Sequence, residues 1–157
     1  MSESVFTVEP GTSIVSQVRT FNAPKELVFR AMTDPELLTQ WWGPAIYINV
    51  IDEYDPRPGG RWRIVQRDSN GGEFPFHGFF HLIDAPNQVV QTFEFEGLPE
   101  RHVVMETVTL TEEGGVTTVT QHSSFQSVED RDGMVASGME WGAVDSMNRL
   151  EALLATL

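Results

Sequence analysis

The chain has 157 residues, 40% of them apolar, and its 23 acidic and 10 basic residues leave a net charge of −13 at pH 7. That length suits a single domain, residues 1–157, able to bury roughly 70% of its unfolded surface. The charge opposes nucleic acid and anionic lipid surfaces, both of which are bound through Lys and Arg. The absence of cysteine excludes a disulfide framework and thiolate chemistry and suits a reducing compartment. No run approaches the ~20 apolar residues of a membrane span. The first ten residues lack the basic and apolar regions of a secretion signal, so a cytoplasmic location is expected.

Residues 1–11 read as a poorly ordered segment closed by Pro10-Gly11. Residues 13–21 alternate, with Ile14 and Val18 among the strand formers, and predict the first strand. Pro24 suits the first turn of a helix, and Leu27, Val28, Ala31 and Met32 follow at helical spacing. Asp34 is placed to cap a second short helix with Pro35 at its first position. Trp41-Trp42-Gly43-Pro44 stops it. Strand-like runs then span residues 45–54, 61–67, 74–83, 89–96, 102–111 and 116–125, each closed by a polar turn. Short turns between neighbours predict an antiparallel meander. Ser127-Val128-Glu129-Asp130 has the spacing of a capping box. Beyond it, Val135, Met139, Ala143, Met147, Leu150, Leu154 and Leu157 form one helical stripe, with a kink or a close backbone approach expected near Gly138. The order of elements predicts an α+β helix-grip fold: a curved antiparallel sheet wrapped around a long C-terminal helix, with two short helices after the first strand.

Several motifs in order carry a resemblance: Phe21, Ala23-Pro24, Val28, Asp34-Pro35, Trp41-Trp42-Gly43-Pro44, Asp55 with Pro58-Gly59-Gly60, Trp62, Gly78, and Gly138-Met139 with Gly142 and Leu150. Over residues 12–157 the chain resembles the family of homologues of the activator of the heat-shock chaperone ATPase. That family lies within the START/SRPBCC (Bet v 1-like) superfamily. The resemblance implies an internal cavity between sheet and last helix that holds a small hydrophobic or amphipathic molecule. More distant superfamily members include lipid carriers, hormone receptors and polyketide cyclases. The namesake's companion domain has no counterpart in this sequence, which weighs against a chaperone partner.

The residues themselves offer little catalytic chemistry. His77 and His81 are spaced like a helical metal pair, but on a strand four residues span about 13 Å. Two imidazoles so far apart cannot share a zinc at ~2.0 Å from each. Asp52, Glu53 and Asp55 lack the glycine and terminal glutamate of a calcium loop. No metal is expected. No nucleophile elbow, phosphate loop or dinucleotide fingerprint is present, so no cofactor is expected either.

The informative signal is polar residues on otherwise apolar strand faces. Glu106 shares a face with Val104, Val108 and Leu110, and Gln121 and Ser123 share one with Val119. Gln66 shares one with Trp62 and Ile64. These are the candidate polar anchors of a mostly apolar pocket. Trp42, Trp62, Met139 and Trp141 are its candidate apolar and mouth residues. Parity leaves open which face of residues 74–83 turns inward, because Phe74, Phe76, Phe79 and Phe80 occupy both. The leading reading is a binder of a small hydrophobic or amphipathic molecule, lipids included. One rival is a cyclase- or hydrolase-type enzyme using Glu106 as acid/base, and another is a chaperone-binding module. Exposed strand edges leave a homodimer open.

Overall fold

A computed structural model describes residues 3–157. Its strands are β1 (Val5–Val8), β2 (Ile14–Phe21), β3 (Ile48–Tyr54), β4 (Arg61–Arg67), β5 (Glu73–Asp84), β6 (Gln88–Phe95), β7 (Val104–Glu113) and β8 (Val116–Ser124). Helices α1 (Lys25–Thr33) and α2 (Pro35–Leu38) separate β2 from β3, and α3 (Val128–Ala136) and α4 (Met139–Leu154) follow β8. The eight strands form one open, curved antiparallel sheet in the order β1-β2-β8-β7-β6-β5-β4-β3. None of the described helices is long and apolar enough to cross a membrane.

The local signals act largely as their chemistry requires. Asp34 Oδ1 accepts from the N–H groups of Glu36 (2.9 Å) and Leu37 (3.4 Å), satisfying donors that the first turn of α2 leaves open. Ser127 does the same for Asp130 at the start of α3. Pro24 lies one residue outside α1, with extended backbone, and its carbonyl accepts from Leu27 and Val28. The 45–47 segment turns before β3 begins, because Ala45 donates to Asp145 and Tyr47 to the Pro44 carbonyl.

Two readings are corrected. Residues 5–8 are not frayed. They pair with β2 from Val5 opposite Val18 to Val8 opposite Val15, and the buried Arg131 guanidinium fixes the adjoining turn through the carbonyls of Glu9 and Ile14. Met1 and Ser2, also within the expected frayed segment, lie outside the described residues. The terminal helix is two helices. Gly138, at φ +95°, adopts a left-handed conformation that an L side chain resists, and α4 starts afresh after it. The predicted stripe is therefore divided between two clusters. Val135 and Met139 pack against Val15, Val104 and Phe125. Met147, Leu150 and Leu154 enter the main core with Val28, Ile64, Phe80 and Val119. Leu157 lies beyond α4, exposed.

Candidate functional site

Between the two clusters the sheet and helices leave a cavity of about 200 Å³, against the roughly 10–15 Å³ that one enclosed water requires. Its floor is built by strand register. Side chains alternate between faces, so one face of β7 sends Glu106 and Val108 inward, and pairing aligns their neighbours. One row runs Gln91, Glu106, Ser123, Val15 across β6, β7, β8 and β2. The next runs Val89, Val108, Gln121, Gln17. With strands ≈ 4.7–4.9 Å apart, Gln17, Gln91, Glu106, Gln121 and Ser123 make one polar patch, all lining the cavity. The rest of the wall is largely apolar. Phe29, Met32 and Leu38 come from α1 and α2, Trp62 and Ile64 from β4, and Met139, Ala143 and Met147 from α4.

Glu106 accepts a hydrogen bond from Gln91 Nε2 at 3.2 Å. It is half-buried, and its accessible surface faces the cavity. Burial raises its pKa above the ordinary value of 4.5, and the Gln91 bond opposes the rise. Burial disfavours the charged form, and one amide donor compensates only in part. The arginines of β4 and Arg101 pair with other carboxylates: Arg61 with Glu53, Arg63 with Asp52 and Glu96, Arg67 with Glu73, Arg101 with Glu94. A carboxyl raised in the folded state contributes stability that is full below 4.5 and lost as pH rises through the raised value. Glu106→Gln keeps the Gln91 bond and cannot ionise. The variant should match the wild type in acid and gain stability over it by pH 8. Chemical denaturation at the two pH values checks this, and a constant difference between them would refute it.

A polar clasp closes the other end. Ser146 Oγ donates to the Trp41 carbonyl at 3.0 Å and accepts from the Gly43 N–H at 3.1 Å. Arg149 donates to the carbonyls of Gly43 (2.7 Å) and Gln40 (3.0 Å). Asp145 takes the Ala45 N–H at 2.8 Å. The loop after α2 is thus pinned to α4. Trp42 points inward among Phe76, Trp62 and Phe93, with ring centroids 5.4, 6.0 and 6.4 Å away. Tyr54, on the wall, donates to the Thr33 carbonyl at 2.5 Å, and burial first, then the Asp34 charge, pushes its pKa upward. Arg149→Ala should cost about 1.5–3 kcal/mol, the range for hydrogen bonds to a charged group. The Gly43 and Ala45 amides should then exchange hydrogen faster relative to those of β8. Exchange rising equally everywhere would mean that Arg149 supports only global stability.

Of the residues expected at the site, Trp42, Trp62, Glu106, Gln121, Ser123 and Met139 line the cavity together. Two do not. Gln66 is buried at the far end of β4, its amide 3.4 Å from Asn49 Oδ1 and packed against Gly43. Trp141 is 58% exposed; it lies two residues after Met139, which at 3.6 residues per turn puts it on the opposite side of α4. Gln17, Gln91, Tyr54 and Ser146 were not foreseen. Parity on β2 groups Val15, Gln17, Arg19 and Phe21, all buried, but so mixed a face carries no hydrophobic signal. On β5, Phe76 and Phe80 turn inward, and a register shift between Phe80 and Leu82 leaves Ile83 against the core and Leu82 exposed. His77 faces away from the cavity, 2.5 Å from Glu94 and 2.9 Å from Glu96.

A family model described as "Activator of Hsp90 ATPase homolog 1-like protein" matches residues 22–155. Among solved structures, a protein from Arthrobacter aurescens is 25% identical, with a TM-score of 0.90 over 98% of this chain and 92% of that one. One from Rhodobacter sphaeroides is 23% identical with a TM-score of 0.88, covering 99% of this chain and 100% of its own. Another from Mycobacterium smegmatis is 24% identical with a TM-score of 0.85, covering 96% and 95%. No curated protein matches the sequence.

Proposed function

The chain belongs to the Activator of Hsp90 ATPase homolog 1-like family, whose SRPBCC-type fold commonly binds hydrophobic ligands, and from that premise we propose that it binds a small, partly apolar molecule in the cavity beneath α4. The observation that carries this reading is the shape of the lining: an apolar wall facing a compact polar patch centred on Glu106. A fold that needed only a packed core would fill this space with side chains, because interiors are packed close to the density of organic crystals. Gln91 pairs with Glu106 and Gln17 with Ser4, and the hydrogen-bonding capacity left over on this wall suits the few polar anchors of a ligand site. At about 200 Å³ the space falls below the roughly 300–1,000 Å³ of drug-sized sites. The occupant is a compact molecule, not a two-chain lipid.

Native mass spectrometry of freshly purified protein tests the proposal. A reproducible adduct, released on denaturation and reduced when Ala143→Trp fills the space under α4, is the expected result. A folded protein that carries no adduct and takes up none from an extract of small molecules would overturn it.

A further inference from the structure

The chemistry of the patch narrows the ligand, on the premise that the cavity is a ligand site. Its amide groups are already partly committed. Gln91 spends its Nε2 on Glu106, and Gln17 spends its Nε2 on Ser4 Oγ at 3.1 Å. Each keeps a carbonyl oxygen, an acceptor, and one further N–H. Glu106 adds its second carboxyl oxygen, and Ser123, 6% exposed on the cavity wall, adds a hydroxyl that accepts as well as donates. These oxygens can accept from a ligand that brings donors, and the charge of the wall decides between ligand classes.

Charge points the same way. Among the described residues, no Lys, Arg or His lines the cavity. Around Glu106, β6 presents Gln91, β8 Ser123 and β2 Gln17, and α4 lines the cavity with Met139, Ala143, Ser146 and Met147, none of them charged. Arg19, next inward on β2, is turned to Asn148 (2.8 Å) and Glu151 (3.2 Å). On α4, Asp145 and Arg149 are held by the loop that carries Trp42. Tyr54 is the one other titratable group on the wall among the described residues, and its hydroxyl donates to the Thr33 carbonyl. A ligand carboxylate or phosphate would meet Glu106 with no cation to offset the repulsion, so fatty acids and other anionic amphiphiles are disfavoured. An ammonium would instead neutralise the Glu106 carboxyl and donate up to three hydrogen bonds to the surrounding oxygens. The aromatic rings of Trp42 and Trp62 suit an apolar body, and their faces attract cations.

We propose that the cavity takes a compact organic cation, an amine with an apolar body, whose ammonium group sits against the Glu106 carboxylate. Binding then favours the ionised form of Glu106, so association below its pKa expels a proton and affinity rises with pH until the carboxyl is fully ionised.

The test compares three probes of matched size: 2-phenylethylamine, 2-phenylethanol and 3-phenylpropionate. Each is titrated calorimetrically into the full chain from pH 5 to 8, in buffers of different ionisation enthalpy. The expected result is at least a tenfold preference for the amine over the alcohol at pH 8, weaker amine binding in acid, and proton release there. Glu106→Gln should abolish both the preference and the proton release while keeping alcohol binding. Proton release by the wild-type protein stands as evidence even if that variant fails to fold. Equal or tighter binding of the alcohol or the phenylpropionate overturns the cation assignment while the cavity reading stands. Failure of all three probes to bind at millimolar concentration, with no adduct by native mass spectrometry, overturns both.

Discussion

Replacing Leu150 by alanine is expected to lower the free energy of unfolding by about 2–5 kcal/mol, the range for a buried leucine truncated to a cavity. Leu150 is fully buried, at 0% exposure, in the cluster that joins α4 to α1 and to the inner face of the sheet. Its loss removes the transfer energy of the deleted atoms and leaves a void beside neighbours held in place by strands. Collapse into that void is resisted, because Val28, Ile64 and Val119 are themselves buried on rigid elements. Leu157→Ala supplies the comparison: Leu157 is 48% exposed beyond the end of α4, and its change should stay within about 0.5 kcal/mol. Urea denaturation of both variants decides the matter. A Leu150→Ala loss as small as that of Leu157→Ala would show that α4 does not seal the core. Leu150 is not among the cavity-lining residues, so ligand choice in the folded variant should be unchanged.

Gly78→Ala is expected to be comparably damaging, at or above the upper end of the roughly 1–3 kcal/mol that overpacking costs. A methyl group there would lie 1.8 Å from the Thr92 carbonyl oxygen and 2.7 Å from Trp62 Nε1. The first obstacle is backbone of the neighbouring strand and cannot swing aside. Strands β5 and β6 would have to part near their register shift, and Trp62, 3% exposed in the core, would have to move with them. The same chemical change at Gly133 meets nothing within 4 Å. Inside α3, Gly133→Ala should stabilise by about 0.5–1 kcal/mol through the lower backbone entropy lost on folding. Opposite signs for one substitution type at two glycines separate close strand approach from helix propensity. A neutral Gly78→Ala would contradict the β5–β6 spacing. Because Trp62 also lines the cavity, Gly78→Ala should further shift tryptophan emission even where the protein remains folded.

Much of the architecture could be read from local chemistry. Asp34-Pro35 and Ser127 carried their caps in their own side chains. Polar turns bounded strands that the structure places within a few residues of the expected limits, β4 at both ends. Period-two parity grouped Glu106 with Val104, Val108 and Leu110, Gln121 and Ser123 with Val119, and Trp62 with Ile64, without reference to any partner strand. These features depend on neighbours in sequence, and sequence order is sufficient to determine them.

What tertiary structure decided depends on neighbours in space. Parity groups Gln66 with Trp62 and Ile64, but only the loop folded over Gly43 shows that the cavity stops short of Gln66. On β5 parity could not choose a face, and the register shift after Phe80 reverses it midway through the strand. Trp141, a candidate for the sheet rim or the pocket mouth, instead lies exposed on the side of α4 opposite Met139. Gln17 and Gln91 reach the patch only because antiparallel pairing brings β2 beside β8 and β6 beside β7. An amphipathic period states which residues share a face. Which face is covered, and where along it a space remains, is set by long-range pairing and by the helix laid across the sheet. A single chain's local pattern carries no record of either.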